Sequence, residues 1–203
     1  GKYGPYTLSE DEYSYDVTLR LARRLMEHGA TVYMIVKDKD DGIRDDPILP
    51  LDKDEVHYPN EPIPANQLQR LKKRVAAVNN LYVKHKGSHQ RMLVLHIDSR
   101  SRSENIDVFF YHHANSTSGK NLAASIHETF TYKYNKHQPN RSYSGSIKSR
   151  SGLYVVKHSY PPTVFIELGN IQNQKDQRRF VIPDNRQALA NWIAEGILKD
   201  YSE

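Results

Sequence analysis

Two ionisable side chains follow short apolar runs, where a buried strand would carry them to the edge of a sheet. His96 follows Met92–Leu95, and Glu167 follows Val164–Ile166. Burying an ionisable group is costly unless it is paired, protonated or close to a metal ion. The two residues are therefore candidates for acid–base or metal chemistry. Each also has a structural interpretation: a histidine bonded to backbone, or a glutamate paired with an arginine.

The elements around these residues predict an α/β fold. Apolar residues at helical spacing predict helices over about 9–28, 65–83, 122–130 and 185–200. Short apolar, β-rich runs predict strands over 30–36, 91–97, 106–111, 153–156 and 163–168. This alternation indicates a three-layer sandwich, with a mostly parallel central sheet of about five to six strands and helices on both faces. In such sheets the chemistry lies at the carboxyl ends of the strands.

Length and composition indicate one domain over residues 1–203, with a charged, proline-rich loop insertion at 37–64. The chain has no cysteine, which excludes disulfides and thiolate metal sites. No run approaches the roughly 18 apolar residues that a membrane span needs. The net charge of +5 is a mild bias, and no recognition motif accompanies it, so nucleic-acid binding is a minor hypothesis.

The order of several motifs resembles the zinc amidases that hydrolyse N-acetylmuramoyl-L-alanine bonds. That family carries L-x-x-R followed by A-N on its second helix, a histidine at a strand end, and apolar-Glu-x-Gly followed by asparagine on its last strand. The matching residues are Leu71, Arg74, Asn79, His96, Glu167, Gly169 and Asn173. Valine replaces the family's alanine before Asn79, and the likeness extends from residue 9 to about 200.

The resemblance implies a zinc-dependent hydrolase that cleaves the amide between N-acetylmuramic acid and L-alanine in peptidoglycan. Glu10 and His96 match zinc-ligand positions, and Glu167 matches the catalytic glutamate. The family holds Zn²⁺ through three protein ligands and a water, which suits an open catalytic site. The expected substrate is peptidoglycan or a muropeptide, outside the cytoplasmic membrane in the periplasm or extracellular space. We expect a monomer without a nucleic-acid partner.

Rival residues exist for both metal positions. We prefer Glu10 to Glu12 because its distance to Gly29, which ends the first helix, fits the family, and because Glu12 can form a capping box with Ser9. His113, followed by alanine and asparagine, imitates the family's histidine motif. We prefer His96 because it leaves room for a strand before the next helix.

The chain departs from the family at its front. The family's first strand ends in G-H-G-G, whose histidine is the first zinc ligand, and residues 1–203 contain no such segment. We expect that this strand has been cut from the sequence. The departure also motivates a second hypothesis, a degenerate amidase fold that binds cell wall or a partner without cutting.

Overall fold

The chain folds into six helices and nine strands within residues 1–99 and 105–202, the part described by this computed structural model. The helices are α1 (Glu10–Glu27), α2 (Gln67–Lys84), α3 (Thr117–His137), α4 (Tyr154–His158), α5 (Gln174–Val181) and α6 (Pro183–Ser202). The strands are β1 (Lys2–Tyr3), β2 (Tyr6–Thr7), β3 (Val36–Lys37), β4 (Val56–His57), β5 (Glu61–Pro62), β6 (Met92–Asp98), β7 (Phe109–His112), β8 (Ser146–Ser149) and β9 (Thr163–Asn170). None of the helices in these ranges combines the length and the apolar character that crossing a membrane requires.

The central sheet has the strand order β6-β9-β7-β8. β6 runs parallel to β9 and β7 runs parallel to β8, whereas β7 and β9 are antiparallel. The predicted α/β class with a mostly parallel sheet is confirmed, with four strands among the described residues. We call the edge where β6 and β9 end the upper edge. Because β7 is antiparallel to β9, β7 and β8 begin at the upper edge and end at the lower one.

Helices cover both faces of this sheet. Phe110 and Ile166 point into the main core, which α1, α3 and α6 cover. Their chain neighbours Tyr111 and Phe165 point to the opposite face, into a smaller cluster with Val75 of α2. The alternation follows from the strand, in which successive side chains point to opposite faces. We call the face with Tyr111 and Phe165 the front face.

The strand predicted at 30–36 is wrong for most of its length. Only β3 pairs, at the end of the run, and its partner is the short strand β4. Within the described chain no strand lies beside Ala30–Ile35, and none of these residues is buried. An apolar run forms a strand only where a neighbour supplies hydrogen bonds, and the run itself does not reveal that neighbour.

The strand predicted at 153–156 is also wrong, because this stretch begins helix α4. Lys157 N–H donates to the Leu153 carbonyl at 2.9 Å, closing a helical turn. Val155 and Val156 are both buried, in the cluster with Phe165. Periodicity cannot distinguish a short apolar strand from a short buried helix. Val155 and Val156 are β-branched and favour strands, but tertiary packing stabilises the helix here.

The 37–64 segment, expected as a loop insertion, contains β4 and β5 and is tied to α1. The Tyr13 hydroxyl donates to the Pro47 carbonyl at 3.0 Å and accepts from the Leu49 N–H at 3.2 Å. Leu49 is buried in the main core. The segment is thus anchored at its middle.

Asp54 gives this segment a pH dependence. Partial burial and the neighbouring Asp38 carboxylate raise the pKa of Asp54 to about 6. A carboxyl whose pKa is raised by folding stabilises the fold below its unfolded pKa, and that contribution is lost as the pH rises through about 6. We therefore expect Asp54→Asn to be more stabilising at pH 7 than at pH 5, measured as urea unfolding midpoints.

Asp45→Asn is the matched control. The hydrogen bond from Arg20 lowers the pKa of Asp45, so this carboxylate is charged at both pH values. Its replacement should cost the same stability at pH 5 and pH 7. An Asp54→Asn effect that is equal at both pH values would contradict the assignment.

The start of α1 differs from the predicted capping box. Ser9 is the N-cap residue, yet its side chain makes no capping hydrogen bond. Glu12 instead accepts from Arg44 Nη2 at 2.9 Å and from the Asp52 N–H at 3.3 Å. In the pair with arginine both partners are charged, whereas the backbone N–H of a capping box is a neutral donor, and this difference favours Arg44. The predicted end is confirmed, because Gly29 adopts φ +82° directly after the helix.

A buried ion network joins α1, α6 and the 44–46 turn. The fully buried Asp16 carboxylate accepts from Arg20 Nε at 2.8 Å, from Arg186 Nε at 2.6 Å and from the Arg44 N–H at 2.9 Å. Arg186 is also fully buried and donates to the carbonyls of Arg44 and Asp46. Asp16 is therefore the counter-charge that the two guanidinium groups share, and Arg20 also pairs with the exposed Asp45.

Candidate functional site

Glu10 and His96 meet at the upper edge of the sheet. Glu10 is the first residue of α1, and His96 lies two residues before the end of β6. Glu10 Oε1 lies 2.7 Å from His96 Nδ1, and the Ile97 N–H approaches the same oxygen at 3.4 Å. Their side chains are 35% and 37% exposed. The structure thus brings these two predicted ligands together at a point that solvent can reach.

A stacked ring fixes the His96 imidazole. The rings of His96 and Phe165 lie 4.6 Å apart between centroids, with an interplanar angle of 11°. Phe165 is buried in the front-face cluster, so its own position is held by packing. Stacking on a packed ring restricts the rotation of the imidazole and keeps its nitrogens directed along the sheet edge.

Glu167 stands beside His96 in the sheet. The two residues are register partners in the parallel ladder of β6 and β9, and Phe109 is the partner of Glu167 on the other side. Register partners on adjacent strands point to the same face, about 5 Å apart. Glu167 is 6% exposed. The candidate catalytic carboxylate is therefore largely shielded, next to a more open pair.

The Glu167 carboxylate acts electrostatically on the Tyr111 hydroxyl of the front face. Burial raises the pKa of the Tyr111 hydroxyl, the Arg150 guanidinium opposes that rise, and the Glu167 carboxylate adds to it. Tyr111 therefore stays protonated at neutral pH. The carboxylate and the guanidinium act on the same hydroxyl from two sides, so the face has a negative and a positive part.

The residues at the upper edge fit zinc in type. An imidazole nitrogen and a carboxylate oxygen are both ligands that zinc accepts, and here they come from two separate elements. A catalytic zinc takes three protein ligands and one water. Among the described residues, Glu10 and His96 could supply two of those three.

The rival residues do not reach this point. Glu12 is 3% exposed and is engaged by Arg44 and Asp52. His113 follows the end of β7, which lies at the lower edge because β7 is antiparallel to β9. The direction of one strand thus separates His96 from its closest imitation in the sequence.

Two acidic groups elsewhere also bring carboxylates within 4.8 Å of one another. They are Asp11, Glu12 and Glu55, and Asp38, Asp41 and Asp52. Arg44 forms ion pairs with Glu12 in the first group and with Asp41 in the second. Arg44 therefore supplies a counter-charge to one carboxylate of each group.

Sequence reasoning missed two cations on the face that carries Glu167, namely Lys148 and Arg150. Lys148 lies on β8, and Arg150 follows directly after it. The sequence gives no apolar run that predicts this strand, because Ser146–Ser149 is short and mostly polar. A lysine and an arginine two residues apart are common on any solvated surface. Only the register of the sheet shows that they share a face with Glu167.

Comparisons with known proteins agree with this fold. A family model described as N-acetylmuramoyl-L-alanine amidase matches residues 1–199. No curated protein sequence matches the chain.

Several solved structures share the architecture. The CwlD amidase from Clostridioides difficile, solved in complex with the GerS lipoprotein, has a TM-score of 0.70 at 19% identity, covering 100% of this chain and 91% of that one. The amidase AmiC2 of Nostoc punctiforme has a TM-score of 0.66 at 18% identity, covering 100% and 90%. Ami1 from Mycobacterium smegmatis has a TM-score of 0.67 at 17% identity, covering 97% and 81%.

Proposed function

Because this chain belongs to the N-acetylmuramoyl-L-alanine amidase family, we propose that it hydrolyses the amide bond between N-acetylmuramic acid and L-alanine in peptidoglycan. One observation carries the proposal: Glu10 and His96 converge at the upper edge, beside the carboxylate of Glu167. Peptidoglycan lies outside the cytoplasmic membrane, so we propose a periplasmic or extracellular location for the protein. Cell fractionation tests the location.

Glu10 and His96 would hold a zinc ion; in the family the third protein ligand is the histidine of a G-H-G-G strand. When bound, zinc supplies polarisation of the amide carbonyl and a lower pKa of the attacking water. The contact between α1 and β6 holds the two ligand side chains against one another before the ion enters. Phe165 keeps the His96 ring in place, and the Ile97 N–H keeps the Glu10 carboxylate in place.

Glu167 would move the proton. As general base it accepts a proton from the water that attacks the lactyl carbonyl carbon. As general acid it then returns this proton to the alanine nitrogen while the carbon–nitrogen bond breaks. Its position on a buried strand, in register with His96, places its carboxylate beside the ligand pair.

A non-catalytic role is the second candidate. It is motivated by the ligand count, since the described residues provide two of the three protein ligands that a catalytic zinc takes. In that case the fold would bind cell wall or a partner at the same edge. Metal content and hydrolysis separate the two functions.

The test uses the full-length protein as its gene encodes it. Metal analysis by mass spectrometry should find near-stoichiometric zinc, and purified muropeptides should be cut to a free L-alanine amino terminus. Zinc in the full-length protein, but not in residues 1–203 alone, would place the third ligand outside these residues. Absence of both zinc and hydrolysis would favour the non-catalytic module.

Glu10→Gln and Glu12→Gln form a matched pair for the ligand assignment. We expect Glu10→Gln to weaken zinc binding by about 100-fold or more, since even partners one step removed from a metal are worth 10–100-fold. Glu12→Gln should keep zinc, because Glu12 bonds to Arg44 rather than to His96. Competition with a chelator measures both affinities. Loss of zinc in Glu12→Gln alone would reverse the assignment.

A further inference from the structure

Two cations at the edge of the sheet lie on the same face as the candidate catalytic carboxylate. Lys148 of β8 is the register partner of Tyr111 in β7, and Tyr111 is the partner of Phe165 in β9. Glu167 lies two residues after Phe165 and therefore on the same face. Arg150 continues the alternation from Lys148, and its N–H donates to the His112 carbonyl at 2.9 Å.

Both cations lean over aromatic rings that lead towards the site. Lys148 Nζ lies 5.9 Å from the centroid of the Phe109 ring, and Phe109 is the register partner of Glu167. Arg150 Cζ lies 5.0 Å from the centroid of the Tyr111 ring. The aromatic faces hold the two side chains over the sheet rather than away from it.

Neither cation is neutralised by an acid in the part of the chain that the structure describes. Lys148 and Arg150 are exposed, and within the described residues no carboxylate oxygen lies within 4 Å of either charge. Glu10 and Glu167 supply the negative charge at the opposite side of the same surface. The front face is therefore polarised, acidic over β6 and β9 and basic over β8.

The spacing suits a carboxylate two residues beyond the scissile bond. Adjacent strands are about 4.8 Å apart, so β8 lies about 10 Å from β9, and Lys148 lies two residues, or about 7 Å, below the level of Glu167; the two Cα atoms are therefore about 12 Å apart. An extended peptide advances about 3.4 Å per residue, so two residues cover about 7 Å. The remaining distance of about 5 Å is within reach of a lysine side chain, and Lys148 Nζ leans back over the Phe109 ring at the level of Glu167. In peptidoglycan the second residue of the stem peptide carries a free carboxylate, or a primary amide where that carboxylate has been amidated.

We propose that Lys148 and Arg150 bind the carboxylate on the second residue of the stem peptide. This inference rests on the proposed amidase function and adds the direction in which the substrate lies. The peptide crosses the upper end of β7 at the partly exposed Phe109, above the Tyr111 and Phe165 side chains that α2 and α4 cover, and the sugar lies on the side of α1 and β6. The two cations determine specificity and take no part in proton transfer.

The test compares two muropeptides that differ only in that group, the free carboxylate and the primary amide. Wild-type protein should prefer the carboxylate, through a lower KM with a similar kcat. Lys148→Met and Arg150→Met should each raise KM for the carboxylate substrate by about fivefold, the upper end for a charge pair at an exposed site, and leave the amide substrate unchanged. Lys148→Arg should retain most of the preference.

Arg178→Met is the matched control, since it removes one exposed positive charge from α5. It should keep the preference, which separates a specific contact from a change in net charge. A preference that survives in the Lys148→Met, Arg150→Met double variant would overturn the proposal, as would an equal loss on both substrates. Hydrolysis of neither substrate by the wild type would instead remove the proposed function, and this inference with it.

Discussion

Replacing Glu167 with glutamine should reduce muropeptide hydrolysis by about a thousandfold while leaving the protein folded and able to bind zinc. Glutamine has nearly the same shape but cannot accept and return a proton, and general acid–base catalysis contributes about 10²–10⁴ in rate. The loss should fall on kcat, because Glu167 is assigned to proton transfer. Steady-state release of the alanine amine measures it.

Glu12→Gln is again the matched control for this loss. Glu12 is 3% exposed and Glu167 is 6% exposed, so both variants neutralise a buried carboxylate. Only Glu167 lies beside His96. Retention of more than about a tenth of wild-type activity in Glu167→Gln would remove its role as general base.

The second large effect concerns stability. Asp16→Ala should lower the free energy of unfolding by about 3–5 kcal/mol, because it leaves Arg20 and Arg186 buried without their shared counter-charge. For a domain of this size that corresponds to a fall in Tm of about 10 °C. Thermal unfolding followed by circular dichroism measures the shift.

Glu27→Ala removes a carboxylate from a pair of the same kind at the surface. Glu27 lies 3.0 Å from Arg24, and both side chains are about half exposed. Exposed pairs contribute about 0–1 kcal/mol, so Tm should change by no more than about 3 °C. Equal shifts in the two variants would show that burial of the network does not matter.

Much of the architecture could be predicted because its pattern is local. α1 and α2 carry apolar residues at helical spacing, β9 carries a continuous apolar run, and a glycine marks the end of α1. The stretches at 30–36 and 153–156 have strand-like composition, yet their structure depends on what packs beside them. That information lies in distant residues, such as Phe165 against Val155 and Val156.

The candidate site could be predicted in part for the same reason. His96 and Glu167 were visible because each ends an apolar run, and the ladder of β6 and β9 places them side by side. The partner of Glu12 was invisible, since Arg44 approaches it from 32 residues away. Only the order of the strands shows that Lys148 and Arg150 lie on the same face as Glu167, and amino-acid composition does not determine that order.

The two outer strands of the central sheet differ in their tendency to pair with a strand of another molecule. β8 exposes Lys148 to solvent, and a charged residue on an outer strand discourages pairing with another sheet. β6 is the other outer strand, and its Met92–Leu95 stretch is apolar and only partly buried. Among the described strands it has a neighbour on one side only. Within residues 1–203, β6 is therefore the strand at which pairing with another molecule would begin at high concentration.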